Sequence, residues 1–260
     1  MSAPLAIVLA AGKGTRMKSE LPKVLTPARG RPLVQYVVDA LREAGVRQIV
    51  AVVGYRSELV EQALAGQSDI AFAQQTEQLG TGHAVMQCRS QLAGWDGPVV
   101  VVTGDSPMLR PASVKKLLAR FDAPADQRPA CVIGTAHRED PTGLGRIVRD
   151  ASGQFQAIVE QRDATPEQQR VTEVNMSTYV FDAPALLSAL DRLTTANAQA
   201  EYYVTDGPGI LLGQGRRVEA LPVLEACESL SVNTPEDLAK VEEEMKRLGM
   251  GKSSPPHSGR

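Results

Sequence analysis

An apolar run, Leu5-Ala-Ile-Val-Leu9, empties directly into Ala10-Ala-Gly-Lys-Gly-Thr-Arg-Met17, and this junction constrains the fold more than any other stretch. The run's length and branching suit a buried parallel strand. A strand that ends in glycines and basic residues makes a phosphate cradle, because glycine lets backbone N–H groups approach an anion and the cations supply charge. No Gly-Lys-Ser/Thr closes the turn, so it is not a P-loop. Gly12 and Gly14 also lack the third glycine of a dinucleotide fingerprint. Gly-x-Gly alone is equally a plain turn. Arg16 and Lys23, just past it, weigh toward a phosphate.

The pattern that follows is strand and helix in alternation. Residues 33–44 carry Leu33, Val34, Val37, Val38 and Leu41 at helical spacing, with Gly45 as the stop. A strand at residues 48–53 leads to a helix from Ser57, a good N-cap, to Gly66. A strand at 70–74 precedes the loop Gln75-Thr-Glu-Gln-Leu-Gly-Thr-Gly82, and the chain from His83 reads as helix. Val99-Val-Val-Val102 is the most strand-like run, and Pro111 opens a helix to Phe121. Such alternation gives a parallel sheet with helices on both faces, wound by right-handed crossovers. The character changes after Thr135. Residues 146–149 and 155–159 read as a hairpin around Asp150-Ala-Ser-Gly153, and 173–181 as a further strand. Asp182 caps a helix through Leu193, residues 198–212 are partly helical, and 218–223 form a strand. Thr234-Pro-Glu-Asp237 is a capping box. The helix it opens buries Leu238, Val241, Met245 and Leu248 and ends at Gly249. Residues 1–249 are thus expected to form one domain, and the Ser/Pro/Gly-rich residues 250–260 a disordered tail.

The formal net charge of −2 and the dispersed Lys and Arg argue against a nucleic-acid surface. Cys88, Cys131 and Cys227 lie far apart without CxxC spacing, which points to free thiols in a reducing compartment. The short apolar start has no Lys or Arg before it, unlike a signal peptide. No stretch approaches the roughly 20 apolar residues that cross a bilayer, so a cytoplasmic location without membrane partners is expected.

In open α/β sheets ligands bind outside the carboxyl ends of the strands. Residues 12–23, 75–82, 104–108 and the region after the hairpin fall there, and they carry recognisable motifs. Leu9-Ala-Ala-Gly-Lys-Gly-Thr-Arg-Met17 with Leu21-Pro-Lys-Val24 resembles the signature of sugar-1-phosphate nucleotidylyltransferases. Gln78-Leu-Gly-Thr-Gly-His-Ala84, Gly104-Asp105, Asp140-Pro-Thr-Gly-Leu-Gly-Arg-Ile147, Val159-Glu160, Glu201-Tyr-Tyr-Val-Thr-Asp206 and Val232-Asn233 narrow it. Together they resemble the uridylyltransferase domain of bacterial N-acetylglucosamine-1-phosphate uridylyltransferases, over residues 5–245.

The resemblance implies a Rossmann-like, doubly wound, mostly parallel sheet with an inserted β-hairpin that serves the sugar. It implies UTP and N-acetylglucosamine 1-phosphate as substrates and Mg²⁺ as cofactor. Arg16 and Lys23 would be the catalytic cations. Leu9, Ala10, Ala11, Gly12 and Gly14 would bind the nucleotide's phosphates, and Gln75, Gln78, Gly80 and Thr81 its uracil, with Gly80 allowing close approach of the base. Gly104, Gly145, Glu160 and Asn175 would face the sugar, and Asp105 and Asn233 would hold the metal. The family usually adds a left-handed β-helix acetyltransferase domain of hexapeptide repeats, of which this sequence has none. A monomer or dimer is therefore expected rather than the family's trimer.

The residues depart from the family's pattern at the sugar side. Its Glu-x-Asn-Thr-Gly stands here as Glu173-Val-Asn-Met-Ser177, and its Tyr-Gly-Asp as Thr103-Gly-Asp105. Met176, Ser177 and Thr103 are expected to reshape the sugar pocket. Two alternatives stay open: the same chemistry on another sugar phosphate or nucleotide, and a non-catalytic nucleotide-sugar-binding protein.

Overall fold

The computed structural model describes residues 3–251. Its spine is a mostly parallel sheet. The strands in chain order are β1 (Leu5–Leu9), β2 (Gln48–Val53), β3 (Ile70–Gln74), β4 (Pro98–Thr103), β5 (Cys131–His137), β6 (Arg146–Arg149), β7 (Phe155–Val159), β8 (Glu173–Asp182) and β9 (Val218–Leu221). Across the sheet they run β9-β5-β8-β4-β1-β2-β3. The pairs β1–β2, β1–β4, β2–β3 and β5–β9 are parallel, and β8 is antiparallel to both neighbours. The β6–β7 hairpin joins through Val174 opposite Arg146. It is the expected insertion.

Alternate residues of each central strand face opposite layers. Leu5, Ile7, Val99 and Val101 pack into one apolar cluster with α3 (Thr81–Met86), α4 (Arg89–Leu92), α6 (Ala183–Leu190) and α7 (Asp206–Gly213). Ala6, Val8, Val100 and Val102 pack into the other with α1 (Leu33–Glu43), α2 (Ser57–Ala63) and α5 (Pro111–Leu118). Burial on both faces explains why these strands are continuous Val/Ile/Leu runs rather than alternating ones.

Several local expectations shift. Residue 56, not 57, takes the N-cap position of α2: Arg56 adopts φ 48°, and Ser57 is already helical. The helix from Pro111 ends at Leu118 and tightens into a 3₁₀ turn, Ala119–Asp122. Residue 135 lies inside β5, a strand that the local sequence pattern does not mark. The last strand stops at Leu221, and the helix expected within 198–212 begins only at Asp206. In the last helix, α8 (Pro235–Arg247), Val241 and Met245 are buried, Leu238 is half-buried and Leu248 is exposed. The capping box at Thr234 forms as expected: Asp237 N donates to Thr234 Oγ1 at 3.2 Å and Thr234 N to Asp237 Oδ2 at 3.0 Å. Of the expected tail, Met250 and Gly251 are in place, Met250 N donating to Met245 O at 2.8 Å, and residues 252–260 lie outside the described ones.

The departure at 176–177 has a structural meaning. Pairing between β8 and β5 slips between Asn175 and Thr178, leaving Met176 and Ser177 as a bulge. Ser177 takes φ 49°, a conformation glycine adopts without strain, which is the residue the family's pattern carries there. Met176 is buried among Val174, Val180 and Val132 in the core layer, so it repacks the interior rather than the sugar pocket.

Candidate active site

The loops at the carboxyl ends of β1, β3 and β4 meet around an open cleft of about 280 Å³. Leu9, Ala11 and Gly12 line it from the first loop, with Gln75, Gln78, Gly80 and Thr81 from the second and Thr103 and Asp105 from the third. The first loop is tied down from beneath: Ala10 N donates to Val52 O at 2.9 Å, and Gln78 Nε2 to Ala11 O at 3.1 Å. Its two glycines differ in purpose. A Cβ on Gly12 would meet open space, so this glycine leaves the loop bare toward the cleft. At Gly14, φ is 68° and a Cβ would sit 2.6 Å from Cβ of Lys23. Gly14 thus makes room for the lysine stem.

Four side chains converge at the rim. Asn233 Oδ1 accepts from Arg16 Nη2 at 2.9 Å and from Lys23 Nζ at 3.0 Å, and the Lys23 ammonium is also ion-paired with Asp105. These residues are 217 and 210 positions apart in sequence from Asn233, so only the fold unites them. Asn233 is itself held from three sides. Its Nδ2 donates to Ser231 Oγ at 3.1 Å, its backbone N to Asp237 Oδ2 at 3.1 Å, and Val232 N to Asp105 O at 3.1 Å. Because Ser231 takes the amide nitrogen, the amide oxygen is the end offered to the cations. Ser231 and Asp237 do not announce this role in the sequence.

The second loop is braced by the 201–206 segment. Gly82 N donates to Tyr202 O at 2.7 Å, Tyr202 N to Leu79 O at 2.8 Å, and Val204 N to Thr81 Oγ1 at 3.1 Å. A Cβ on Gly80, where φ is 106°, would lie 2.6 Å from Tyr202 O. Glycine at 80 is therefore required by this brace. Gly54, unremarked in the sequence, is as tightly fixed: a Cβ there would meet Gln78 Nε2 at 2.8 Å and Gln75 O at 2.9 Å.

The expected sugar residues gather in a neighbouring niche. Asn175 N donates to Gly145 O at 2.8 Å, and a Cβ on Gly145 would lie 3.5 Å from both Glu160 Oε1 and Asn175 Cβ. Asn175 is already engaged, donating through Nδ2 to Tyr179 OH at 2.7 Å and accepting from Ser177 N at 3.2 Å. Burial pushes the Glu160 carboxyl above its usual range, against the pull of a Thr205 hydrogen bond. Gly104 stands apart beside Leu9, where its N donates to Leu9 O at 2.9 Å and a Cβ would crowd Val24. Among the described residues no three His, Cys, Asp or Glu side chains gather as a metal cluster, and no helix is long and apolar enough to cross a membrane. All three cysteines are free.

The sequence matches the MobA-like NTP transferase domain over residues 6–204. The chain belongs to this NTP transferase family. It is 45% identical over 228 residues to a bifunctional protein GlmU of Enterococcus faecalis, covering 88% of this chain and 49% of that protein. It is 44% identical over 247 residues to the bifunctional protein GlmU of Listeria innocua, covering 95% of this chain and 53% of that protein. The chain spans about half the length of the curated relatives it matches. Its fold is similar to that of a UDP-glucose pyrophosphorylase crystallised with UDP-glucose, with a TM-score of 0.75 at 18% identity, covering 95% of this chain and 100% of that one. The match to the family ends at residue 204, so Asn233 and the α8 cap complete the rim from beyond it.

Proposed function

We propose that this NTP transferase moves UMP from UTP to N-acetylglucosamine 1-phosphate, giving UDP-N-acetylglucosamine and pyrophosphate, in the cytoplasm. The observation that carries this reading is the rim cluster: Arg16 and Lys23 face one amide oxygen and one carboxylate beside a cleft lined by Gln75 and Gln78. The names of the relatives, the bifunctional GlmU proteins, support the choice of sugar and nucleotide.

In the reaction a non-bridging oxygen of the sugar phosphate attacks the α-phosphorus of UTP, the bond from that phosphorus to the β-phosphate oxygen breaks, and pyrophosphate leaves in line. No protein nucleophile is needed. The work lies in bringing two polyanions together and neutralising charge. Arg16, exposed at the rim, holds the leaving pyrophosphate. Lys23, whose stem is pinned against Gly14, places its ammonium on the reacting phosphates. The backbone of Ala11 and Gly12 binds phosphate oxygens. Gln75 and Gln78 read the base, and Gly145, Glu160 and Asn175 receive the sugar. Asp105 and Asn233 fit a hard divalent cation, since both offer oxygen and their oxygens already meet on a cation, the Lys23 ammonium. Magnesium there would neutralise phosphate charge.

The test is pyrophosphate release from UTP and Mg²⁺ with N-acetylglucosamine 1-phosphate, beside glucose 1-phosphate and glucosamine 1-phosphate. Fast release with the N-acetyl sugar alone is expected. Release with another sugar would keep the chemistry and reassign the pocket. No release with any would favour a nucleotide-sugar-binding protein.

A further inference from the structure

Gln75 is 3% exposed, lines the cleft, and turns its amide nitrogen toward groups of the protein itself. Its Nε2 donates to Gly80 O at 3.1 Å and lies 3.1 Å from Nδ1 of His83. Its Oε1 takes no hydrogen bond from the described residues. A primary amide has donors at one end and acceptors at the other, so the end held by the protein decides which end the ligand meets.

His83 holds that end. The ring has a second amide beside it: Gln87 Nε2 lies 3.2 Å from His83 Nε2 and also donates to His83 O at 2.9 Å. A neutral imidazole has one nitrogen lone pair and one N–H, so it accepts from only one of the two glutamines. Gln75 is buried, and an unmet buried donor costs about 1–3 kcal/mol. Gln87 is half-buried and already has the His83 carbonyl as acceptor, so it is the amide that gives way. This makes Nδ1 the acceptor and Nε2 the N–H.

We propose that His83 is a positioning residue that sets the nucleotide's base preference: by accepting from Gln75 it locks the amide oxygen toward the cleft. An outward acceptor pairs with the N3–H of uracil and opposes cytosine, whose N3 is itself an acceptor. The inference rests on the uridylyl reading above.

The experiment is kcat/KM for UTP and CTP in the wild type, His83→Leu and His83→Asn. The leucine removes the acceptor, and the asparagine's side-chain oxygen replaces it. His83→Leu is expected to lower the UTP:CTP ratio about ten-fold, the equivalent of one hydrogen bond, while His83→Asn keeps the ratio near that of the wild type. Equal losses for both nucleotides would overturn the proposal, because a purely structural role damages both alike. Nitrogen-15 NMR of the wild-type imidazole needs no variant to fold: an unprotonated Nδ1 is expected, and an Nδ1–H tautomer would overturn the proposal. A wild-type enzyme without preference for UTP would instead sink the uridylyl reading, with the tautomer still deciding the His83–Gln75 bond.

Discussion

Arg149→Met should destabilise the protein through the buried carboxylate of Glu173. Glu173, at the start of β8, is 6% exposed. Its Oε2 accepts from Arg149 Nε at 2.6 Å, and its Oε1 from Arg149 Nη2 and Thr135 Oγ1, each at 2.6 Å. Burial alone would push the Glu173 carboxyl up, but the Arg149 fork and the Thr135 hydroxyl reverse this and leave it below its usual range. Removing one partner of a buried pair costs about 3–5 kcal/mol. The Arg149 side chain is 28% exposed, which favours the lower end, about 3 kcal/mol. At about 2–4 °C per kcal/mol for a chain of this size, Tm at pH 7 should fall by roughly 6–12 °C. The sign with pH is also fixed. In the wild type the depressed carboxyl contributes stability above its unfolded pKa of about 4.3, and this is lost as pH falls through the folded value. In the variant, burial acts without the guanidinium, the folded value rises above the unfolded one, and the protein gains stability as acid protonates the group. The gap between the two proteins should therefore narrow from pH 7 to pH 5 in urea midpoints. Adding Glu173→Gln to Arg149→Met should recover more than half of the loss, because the buried charge is gone. A loss under about 1 kcal/mol at pH 7, or a gap that widens in acid, would refute the argument.

Lys23→Ala should lower kcat by about 10²–10³ while KM for UTP changes little, since its charge matters most as the phosphates react; unchanged kcat in a steady-state assay would remove Lys23 from the mechanism. Asp105→Ala should abolish Mg²⁺-dependent turnover with circular dichroism and Tm preserved, and near-normal turnover would rule out the metal role. Ser177→Val, favourable by strand propensity, should instead cost about 1–2 kcal/mol because residue 177 is left-handed; a stabilised variant in thermal melts would contradict the bulge. For Glu160 the raised carboxyl means the folded state holds its proton longer, so stability falls as pH rises from the ordinary carboxylate range through the raised value. Glu160→Gln should therefore gain Tm relative to the wild type between pH 4 and pH 7, and lose kcat/KM for the sugar phosphate; a Tm difference independent of pH would refute the sign.

The strands β1, β2 and β4 were legible because burial on both faces writes a continuous apolar run, which no turn or exposed helix imitates. Strand β5 was not: Gly134, Thr135 and the alanines around them dilute its signal, and its place is fixed by pairing with β8 and β9 rather than by local pattern. Site residues were legible where a motif is dense, as at residues 9–24. The reasons behind some of them were not. Gly14 and Gly80 look like ligand-facing glycines in sequence, yet each is dictated by a contact that only the fold creates, with Lys23 in one case and Tyr202 in the other. Met176 is different: plain alternation from Val174 to Val180 already puts it in the core layer, on the face opposite Asn175. The bulge at 176–177 adds two residues to β8, so it shifts the pairing while leaving the alternation of faces intact.

The rim cluster also explains why a neutral residue stands at 233. Arg16 and Lys23 bring two positive charges to Asn233 Oδ1, and Asp105 is the carboxylate paired with one of them. These four side chains therefore carry a net charge of one positive before any substrate arrives. A carboxylate at 233 would pair both cations and cancel that excess. The amide does something different: it offers oxygen, fixes both cations by hydrogen bonds, and adds no charge. Preorganisation and attraction are thereby separated. The cations are held in place by Asn233, whose own orientation is set by Ser231 and the α8 cap, while their charge remains available to a polyanion. The helix cap at Thr234 and Asp237 thus contributes to the site through the backbone of residue 233 rather than through any charge it directs into the cleft.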